Sequence, residues 1–198
     1  HDSLPDPGVY KYDVSPNDAG LIGFTSPVMP LSLGVQNVDA VIKNYGTATL
    51  NSANIDWQVN GVNQTGISWS GNLVTNDTVS AALGSFNFAT SGLYTLKAWS
   101  SLPNSSNDIL RFNDTIQQTF CTPLSGNLTV NPSLPVGNGN FQTIGAVVQL
   151  LQTCGMAGNV IVNVSAGTYN EKLTFSNILG LGAGSRLSFV GADSSNTV

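Results

Sequence analysis

A cluster of oxygen-bearing side chains precedes the strand that we predict over residues 115–120. Its members are Asn104, Asn107, Asp108, Asn113 and Asp114. Calcium prefers hard oxygen ligands of this kind at about six to eight positions. Most of these side chains are neutral, however, and their spacing lacks the regular acidic loop of an EF-hand. Asn and Asp also populate ordinary loops because they hydrogen-bond to nearby backbone groups. A calcium site and a plain loop both remain open.

The two cysteines, Cys121 and Cys154, allow a single intramolecular pair. Only 9% of the residues are charged, which is typical of extracellular all-β proteins, and this favours a disulfide over two buried thiols. Zinc is disfavoured because the lone His1 supplies the only imidazole. On the chain-entropy model, the disulfide is predicted to stabilise the fold by about 3–4 kcal/mol.

The titratable residues give no support for catalysis. Glu171 is the only Glu in the chain, and no Ser-His-Asp grouping can be built around the terminal His1. The Gly-rich run at 180–184 precedes a predicted strand instead of opening a helix, so it is not expected to cradle a phosphate. We therefore expect a chain that is not an enzyme, with calcium as the one candidate cofactor.

Charge and hydropathy exclude two classes of partner. The formal net charge is −5, and the six Lys and Arg residues are scattered along the chain without forming a patch, so nucleic acid is not expected to bind. No apolar run approaches the roughly 18 residues that a spanning helix needs, and direct membrane insertion is not expected either. The composition favours an extracellular or cell-surface location.

The three tryptophans raise the question of sugar binding, because aromatic rings stack on sugars. Trp57 and Trp69 lie in the inward register of their predicted strands and are core candidates. Trp99 falls on the register opposite Tyr94 and its inward neighbours, so it is the candidate platform. A surface polysaccharide or another cell-surface protein is the expected partner.

Short alternating strands fill residues 18–120, after a Pro-rich linker or tag remnant over 1–17. Apolar side chains are predicted to point inward at every second residue of strands near 38–42, 55–59, 79–88 and 93–99. Asn60-Gly61 is the strongest hairpin signal, since both residues tolerate positive φ. About seven such strands predict an immunoglobulin-like β-sandwich.

Four segments of this part carry a resemblance: IKNYGTATL, WQVNG, SGLYTLKAWSSLPNSSND and FNDT, at 42–50, 57–61, 91–108 and 112–115. Together they resemble the CARDB-type immunoglobulin-like domains of bacterial surface proteins. The resemblance implies a scaffold or adhesive role and brings no catalytic residues. Asp77-Thr78-Val79 and Asp114-Thr115-Ile116 are similar to the sequence that periplasmic O-glycosylation uses in gliding-type bacteria, which makes Thr78 and Thr115 candidate O-glycosylation sites.

The periodicity changes after a connection over 121–140. Apolar residues at three- and four-residue steps from Phe141 predict a helix that ends at Gly155. The apolar run over 160–164 predicts a strand that is covered on both faces. Further strands are predicted over 172–175 and 186–190.

The order FQTI, VIVNV, AGTYNEKLTF and RLSFVGA over 141–198 resembles the start of right-handed parallel β-helix proteins of the pectin-esterase and pectate-lyase type. The resemblance implies a capping helix followed by the first coil, with catalytic residues confined to later coils. The whole chain is thus expected to be mainly β, and to be a non-catalytic scaffold or adhesive module of a large surface protein, of the kind exported by the type IX route. The alternatives are the accessory front end of a secreted polysaccharide-active β-helix enzyme and a carbohydrate-binding module.

Overall fold

The structure is a computed structural model that describes residues 15–137, 139–182 and 184–192. Within these ranges the chain is mainly β and contains one α-helix. The strands and the helix are β1 Ala19–Ser26, β2 Gly34–Asn44, β3 Leu50–Val59, β4 Val62–Asn63, β5 Ile67–Leu73, β6 Thr78–Phe88, β7 Leu93–Ser101, β8 Thr115–Cys121, β9 Leu124–Val130, β10 Asn140–Phe141, α1 Ile144–Cys154, β11 Met156–Val164 and β12 Leu187–Gly191.

The first eight strands form two sheets. One has the order β1-β2-β6, and the other has the order β4-β3-β7-β8, with β5 also pairing with β3. This order corresponds to the A-B-E and C-F-G strands of an immunoglobulin-like sandwich. The predicted turn is confirmed, because Asn60 and Gly61 have φ of 49° and 80° and join β3 to β4 with Val59 opposite Val62.

Alternation buries one face of β2 and β7, and one face of β3 from Ala53 onward. In β2 the residues Val38, Ala40 and Ile42 are fully buried, as the sequence predicts. In β6 the inward assignment of Val79 is wrong: its side chain is 40% exposed, because the covered part of that face begins only at Ala81. Burial in β6 also changes face along the strand, since Leu83 and Phe88, five residues apart, are both buried.

The last four strands form a separate sheet in the order β10-β9-β11-β12, and every pairing in it is parallel. Val162 pairs with Leu128 on one side and with Phe189 on the other. The prediction of a strand over 172–175 is wrong, since the backbone of that stretch is irregular. The prediction that β11 is covered on both faces is also wrong, because Val160 is buried while Ile161 is 39% exposed.

Helix α1 starts three residues later than the periodicity from Phe141 suggests. Phe141 instead belongs to β10, where it pairs with Val130 of β9. Thr143 caps the helix by accepting a hydrogen bond from the Ala146 amide. Gly155 follows the last helical residue with φ of 74°. The buried face of α1 packs on β9 and β11 in one apolar core, formed by Leu128, Val130, Val147, Leu151, Met156, Val160, Val162, Val164 and Ile178.

The chain groups into two compact units. One contains His1–Phe24, Asp39–Leu83 and Lys97–Gln117, and the other contains Thr25–Val38, Gly84–Leu96 and Gln118–Val198. The predicted domain limits at 120 and 141 come from strand and helix patterns, and they stay a prediction.

Candidate functional site

A cavity of about 340 Å³ opens in the first unit, where β7 ends, the following loop returns and β8 begins. The loop supplies its charged and amide groups, and the strand ends supply its indole and hydroxyl groups. The residues on which its chemistry rests are Trp99, Ser101, Asn107, Asp108, Arg111 and Asp114. The structure therefore places the predicted platform Trp99 beside three of the five predicted calcium ligands.

Asp108 is almost completely buried, with 4% of its surface exposed. Its Oδ1 accepts a hydrogen bond from the Leu110 amide, and its Oδ2 accepts one from the Ala19 amide, each at 3.0 Å. Hydrogen bonds from backbone N–H groups satisfy both oxygens of this buried carboxylate. Asp108 thus ties the first residue of β1 to the loop that lines the cavity.

Asp114 lies immediately before β8 and is 8% exposed, and its Oδ1 is buried without a hydrogen-bond partner. The pKa of Asp114 is raised to about 6, chiefly because burial strips an unpaired carboxylate of its hydration. The negative charges of Asp108 and Asp18 contribute to this rise, and the Arg111 guanidinium partly offsets it. Asp114 is therefore a carboxylate in a negative, poorly hydrated surrounding.

A third carboxylate, that of Asp18, was missed by sequence reasoning. It is 3% exposed, and its Oδ1 accepts a hydrogen bond of 2.9 Å from Asn113 Nδ2. Burial raises the pKa of Asp18, the Asn113 hydrogen bond lowers it, and the Asp108 charge raises it again. The other amide atom, Asn113 Oδ1, is buried and has no partner. Because Asp18 is far from Asp108 in sequence, no local pattern signals that they meet.

Arg111 is the guanidinium of the cavity. Its side chain donates to the Asp108 carbonyl at 3.2 Å and to Asn107 Oδ1 at 3.0 Å. Both contacts are made within the same loop, so Arg111 holds the loop closed and opposes the carboxylates electrostatically. The cavity consequently combines two buried carboxylates, one guanidinium and one indole.

The other two predicted ligands, Asn104 and Asn113, do not line the cavity. Asn104 is occupied elsewhere. Its Oδ1 accepts from the Asn51 amide at 2.8 Å, and its Nδ2 donates to Asn17 Oδ1 and to the Thr49 carbonyl. Asn104 also has positive φ, at 49°, which Asn tolerates better than most residues. Its role is therefore to hold the loop after β7 against β3.

The tryptophans occupy three different surroundings. Trp57 is 2% exposed, and its indole donates to the Thr65 carbonyl at 3.0 Å, so its assignment to the core is correct. Trp69 is only half-buried. Trp99 is half-buried as well and lines the cavity, with Lys97 Nζ 5.7 Å from its ring centroid.

The predicted disulfide is present between Cys121 at the end of β8 and Cys154 at the end of α1, with 5.5 Å between their Cα atoms.

Glu171 caps the N-terminal end of helix α1. Its Oε1 accepts from the Ile144 amide at 3.0 Å, and its Oε2 accepts from the Gly145 amide at 2.7 Å. These are two of the N–H groups that a helix start leaves without intrahelical partners. The only Glu of the chain is thus a helix cap.

The second unit has a larger and more apolar cavity of about 710 Å³, lined by Met29, Leu93, Leu128, Phe141 and Leu150 among others. Asn140 also lines this cavity, and its Oδ1 atom is buried without a hydrogen-bond partner. Elsewhere on the surface, Thr78 and Thr115 are exposed at the first residues of β6 and β8. Occupancy of these two threonines by a glycan stays a prediction.

Among the residues that the structure describes, no three His, Cys, Asp or Glu side chains are grouped closely enough to hold a metal ion. In the same part of the chain, no helix has the length and apolar character needed to cross a membrane.

No protein-family model matches the chain, and no curated protein sequence matches it. Among solved structures it is similar to a CARDB domain from Pyrococcus furiosus, crystallised in complex with di-metal ions. That match has 14% identity and a TM-score of 0.43, and it covers 55% of this chain and 90% of the other. It is also similar to a domain of a candidate cell surface protein from Methanosarcina acetivorans, with 20% identity, a TM-score of 0.43, and coverage of 54% and 91%.

Proposed function

We propose that the chain is a non-catalytic module of an extracellular or cell-surface protein and serves there as a scaffold or adhesive segment. The observation that carries this proposal is the buried Cys121–Cys154 disulfide. Disulfides form and persist in oxidising compartments and are rare in the cytosol. The low proportion of charged residues, 9%, supports the same location.

The side chains support a structural role over a catalytic one. The Glu171 carboxylate accepts hydrogen bonds from the first two backbone amides of α1. The Asp108 carboxylate likewise accepts hydrogen bonds from two backbone amides. A carboxylate in such a position orders the backbone and is poorly placed to transfer protons to a substrate.

We propose further that the parallel sheet is the first coil of a right-handed β-helix. Neighbouring strands pair in parallel, as successive strands of a β-helix do, and in the pair of β11 and β12 Val160 lies opposite Leu187. Parallel crossovers in one sheet are right-handed in about 98% of cases. Helix α1 covers one side of the apolar core of this coil.

The edge of β12 supports continuation of the coil. Phe189 and Val190 are 39% and 49% exposed, and Phe175, whose ring contacts that of Phe189 edge to face, is 52% exposed. A recess of about 270 Å³ next to them is lined by Ile144, Val164, Leu173, Phe175, Phe189 and Gly191. An apolar edge of this kind is a template for a further strand.

The disulfide proposal is tested on protein taken from its source cells. Cells are lysed in a thiol-blocking reagent, and the intact mass is measured with and without prior reduction. We expect no blocked cysteine before reduction and two after it. Blocking of both cysteines without reduction would contradict an oxidising location.

The non-catalytic proposal is tested by incubating the purified chain with pectin, alginate and xylan and measuring the release of reducing ends. We expect no release above a heat-denatured control. Release that depends on enzyme concentration would instead favour a catalytic role. The alternative of an accessory front end predicts no release from this chain either, but faster release by the parent enzyme that contains it.

Carbohydrate binding is a second candidate function, and the cavity beside Trp99 is the observation that favours it. The cavity combines an aromatic ring with the hydrogen-bonding groups of Asn107 and Arg111, which is the usual composition of a small-ligand site. Glycan-array binding that is lost in Trp99→Ala and retained in Trp69→Ala would support it. Equal binding by both variants would contradict it.

A further inference from the structure

The cavity beside Trp99 contains an excess of negative charge. Asp108 and Asp114 line it, and Asp18 lies close enough for its charge to act on both. Arg111 supplies one opposing charge from the cavity wall, and Lys97 Nζ lies 5.7 Å from the centroid of the Trp99 ring. Three carboxylates in a poorly hydrated region repel one another unless a cation or protons neutralise them.

A second observation points to a ligand. Asp114 is more than nine-tenths buried and lines the cavity, yet its Oδ1 has no hydrogen-bond partner. Its backbone carbonyl, in contrast, accepts a hydrogen bond from the Ser100 amide at 3.1 Å. An orphaned carboxylate oxygen is costly to bury, and bound water or a cation in the cavity would remove that cost.

We propose that this cavity binds a hydrated calcium ion, with the carboxylates of Asp114 and Asp108 as its anionic ligands. Each oxygen of Asp108 accepts one hydrogen bond, and a carboxylate oxygen has a second lone pair available. The volume of about 340 Å³ leaves room for the water ligands that complete the coordination of Ca²⁺. Asp18 and Asn113 contribute through their field and do not ligate the ion.

The affinity expected of such a site is modest. Calcium sites range from nanomolar to millimolar according to the number of charged ligands and the rigidity of the site. With two carboxylate ligands and Arg111 opposing them, the dissociation constant belongs in the range of about 10⁻⁴–10⁻³ M that extracellular modules use. Calcium therefore acts here as a stabiliser of the loop after β7.

The experiment measures unfolding in urea at constant ionic strength, with calcium chloride or with a chelator. At calcium about ten times the dissociation constant, the folding equilibrium constant is expected to rise about tenfold at pH 7.5. Sodium chloride of equal ionic strength is the control for screening.

Three variants locate the site. Asp114→Asn is nearly isosteric and should fold, but the calcium effect should be lost. Asp77→Asn removes an exposed carboxylate outside the cavity and should retain the full effect. Arg111→Gln should tighten calcium binding by about tenfold or more, the effect of removing one unit charge a few ångströms from a divalent ion in a water-exposed cavity.

Terbium, which occupies calcium sites, reports the position directly, because a nearby indole sensitises its luminescence. Terbium excited through tryptophan should emit in the wild type, and added calcium should displace the terbium. Trp99→Phe should abolish the emission, while the effect of calcium on unfolding remains. The proposal is overturned if calcium leaves the unfolding midpoint unchanged at pH 7.5, if Asp114→Asn retains the full effect, or if emission persists in Trp99→Phe.

Discussion

Replacing Glu171 by alanine removes both acceptors that satisfy the start of α1. In the wild-type protein, the Glu171 carboxylate accepts hydrogen bonds from the Ile144 amide at 3.0 Å and from the Gly145 amide at 2.7 Å. Hydrogen bonds to charged groups contribute about 1.5–3 kcal/mol each, and a negative charge at a helix N-terminus contributes about 0.3–1 kcal/mol. Water can reach part of this half-buried site, so we expect the free energy of unfolding to fall by about 2–4 kcal/mol.

The assay is equilibrium unfolding in urea, combined with hydrogen exchange at the Ile144 and Gly145 amides. Glu171→Gln should lose roughly half as much as Glu171→Ala, since its amide keeps one acceptor without the charge. Gly145→Ala provides an independent perturbation, because a Cβ at this position would come within 2.7 Å of Glu171 Oε2 and displace it.

The matched control is Asn170→Ala, an exposed side chain one residue away, which should change the stability little. The reasoning is refuted if Glu171→Ala alters the free energy of unfolding by less than about 0.5 kcal/mol, the scale of ordinary surface substitutions, and leaves the exchange of both amides unchanged.

Three further predictions concern the same two units. Breaking the Cys121–Cys154 bond, whose cysteines are 33 residues apart, by a double serine substitution should lower the free energy of unfolding by about 4 kcal/mol, measured in urea against the oxidised protein. Gly180→Ala should lower it by at least about 2 kcal/mol in the same assay, because φ is +83° and the new Cβ would overlap the Met156 carbonyl oxygen. Without calcium, the free energy of unfolding should rise as the pH falls from about 7 towards about 4. The reason is that the raised pKa values of Asp114 and Asp18 make the native state bind protons more tightly than the unfolded chain does. A flat profile would contradict this prediction, and Asp114→Asn should reduce the slope.

The strands of the sandwich were predictable because their information is local. In β2 and β7 the apolar residues recur with period two, and one face of each strand is buried. The Asn60-Gly61 turn needs only the tolerance of two adjacent residues for positive φ. The disulfide was predictable for another reason, since two cysteines leave only one pairing.

The errors arise where a distant partner decides the local structure. Phe141 satisfies the helical period, but pairing with Val130 holds it in β10, and the helix begins only after the Thr143 cap. Residues 172–175 alternate like a strand, yet the structure pairs β11 directly with β12. Pairing partners of this kind leave no trace in a local sequence pattern.

The candidate site was predictable in part. The loop composition identifies Asn107, Asp108 and Asp114, and the register of β7 identifies Trp99. Asp18 meets them only after folding, because it is 95 residues from its hydrogen-bond partner Asn113. Whether an Asn binds an ion or holds a loop depends on which backbone groups need partners. For Asn104 those groups are the Asn51 amide in β3 and the Thr49 carbonyl just before it.

The most direct test of the proposed role is the accessibility of the chain on intact cells of its source organism. Antibody raised against residues 15–192 is applied before and after permeabilisation, with a cytosolic protein as the control for leakage. A scaffold or adhesive module of a surface protein predicts labelling of intact cells that permeabilisation does not increase and that brief external proteolysis removes. Labelling that appears only after permeabilisation would contradict the proposed extracellular function.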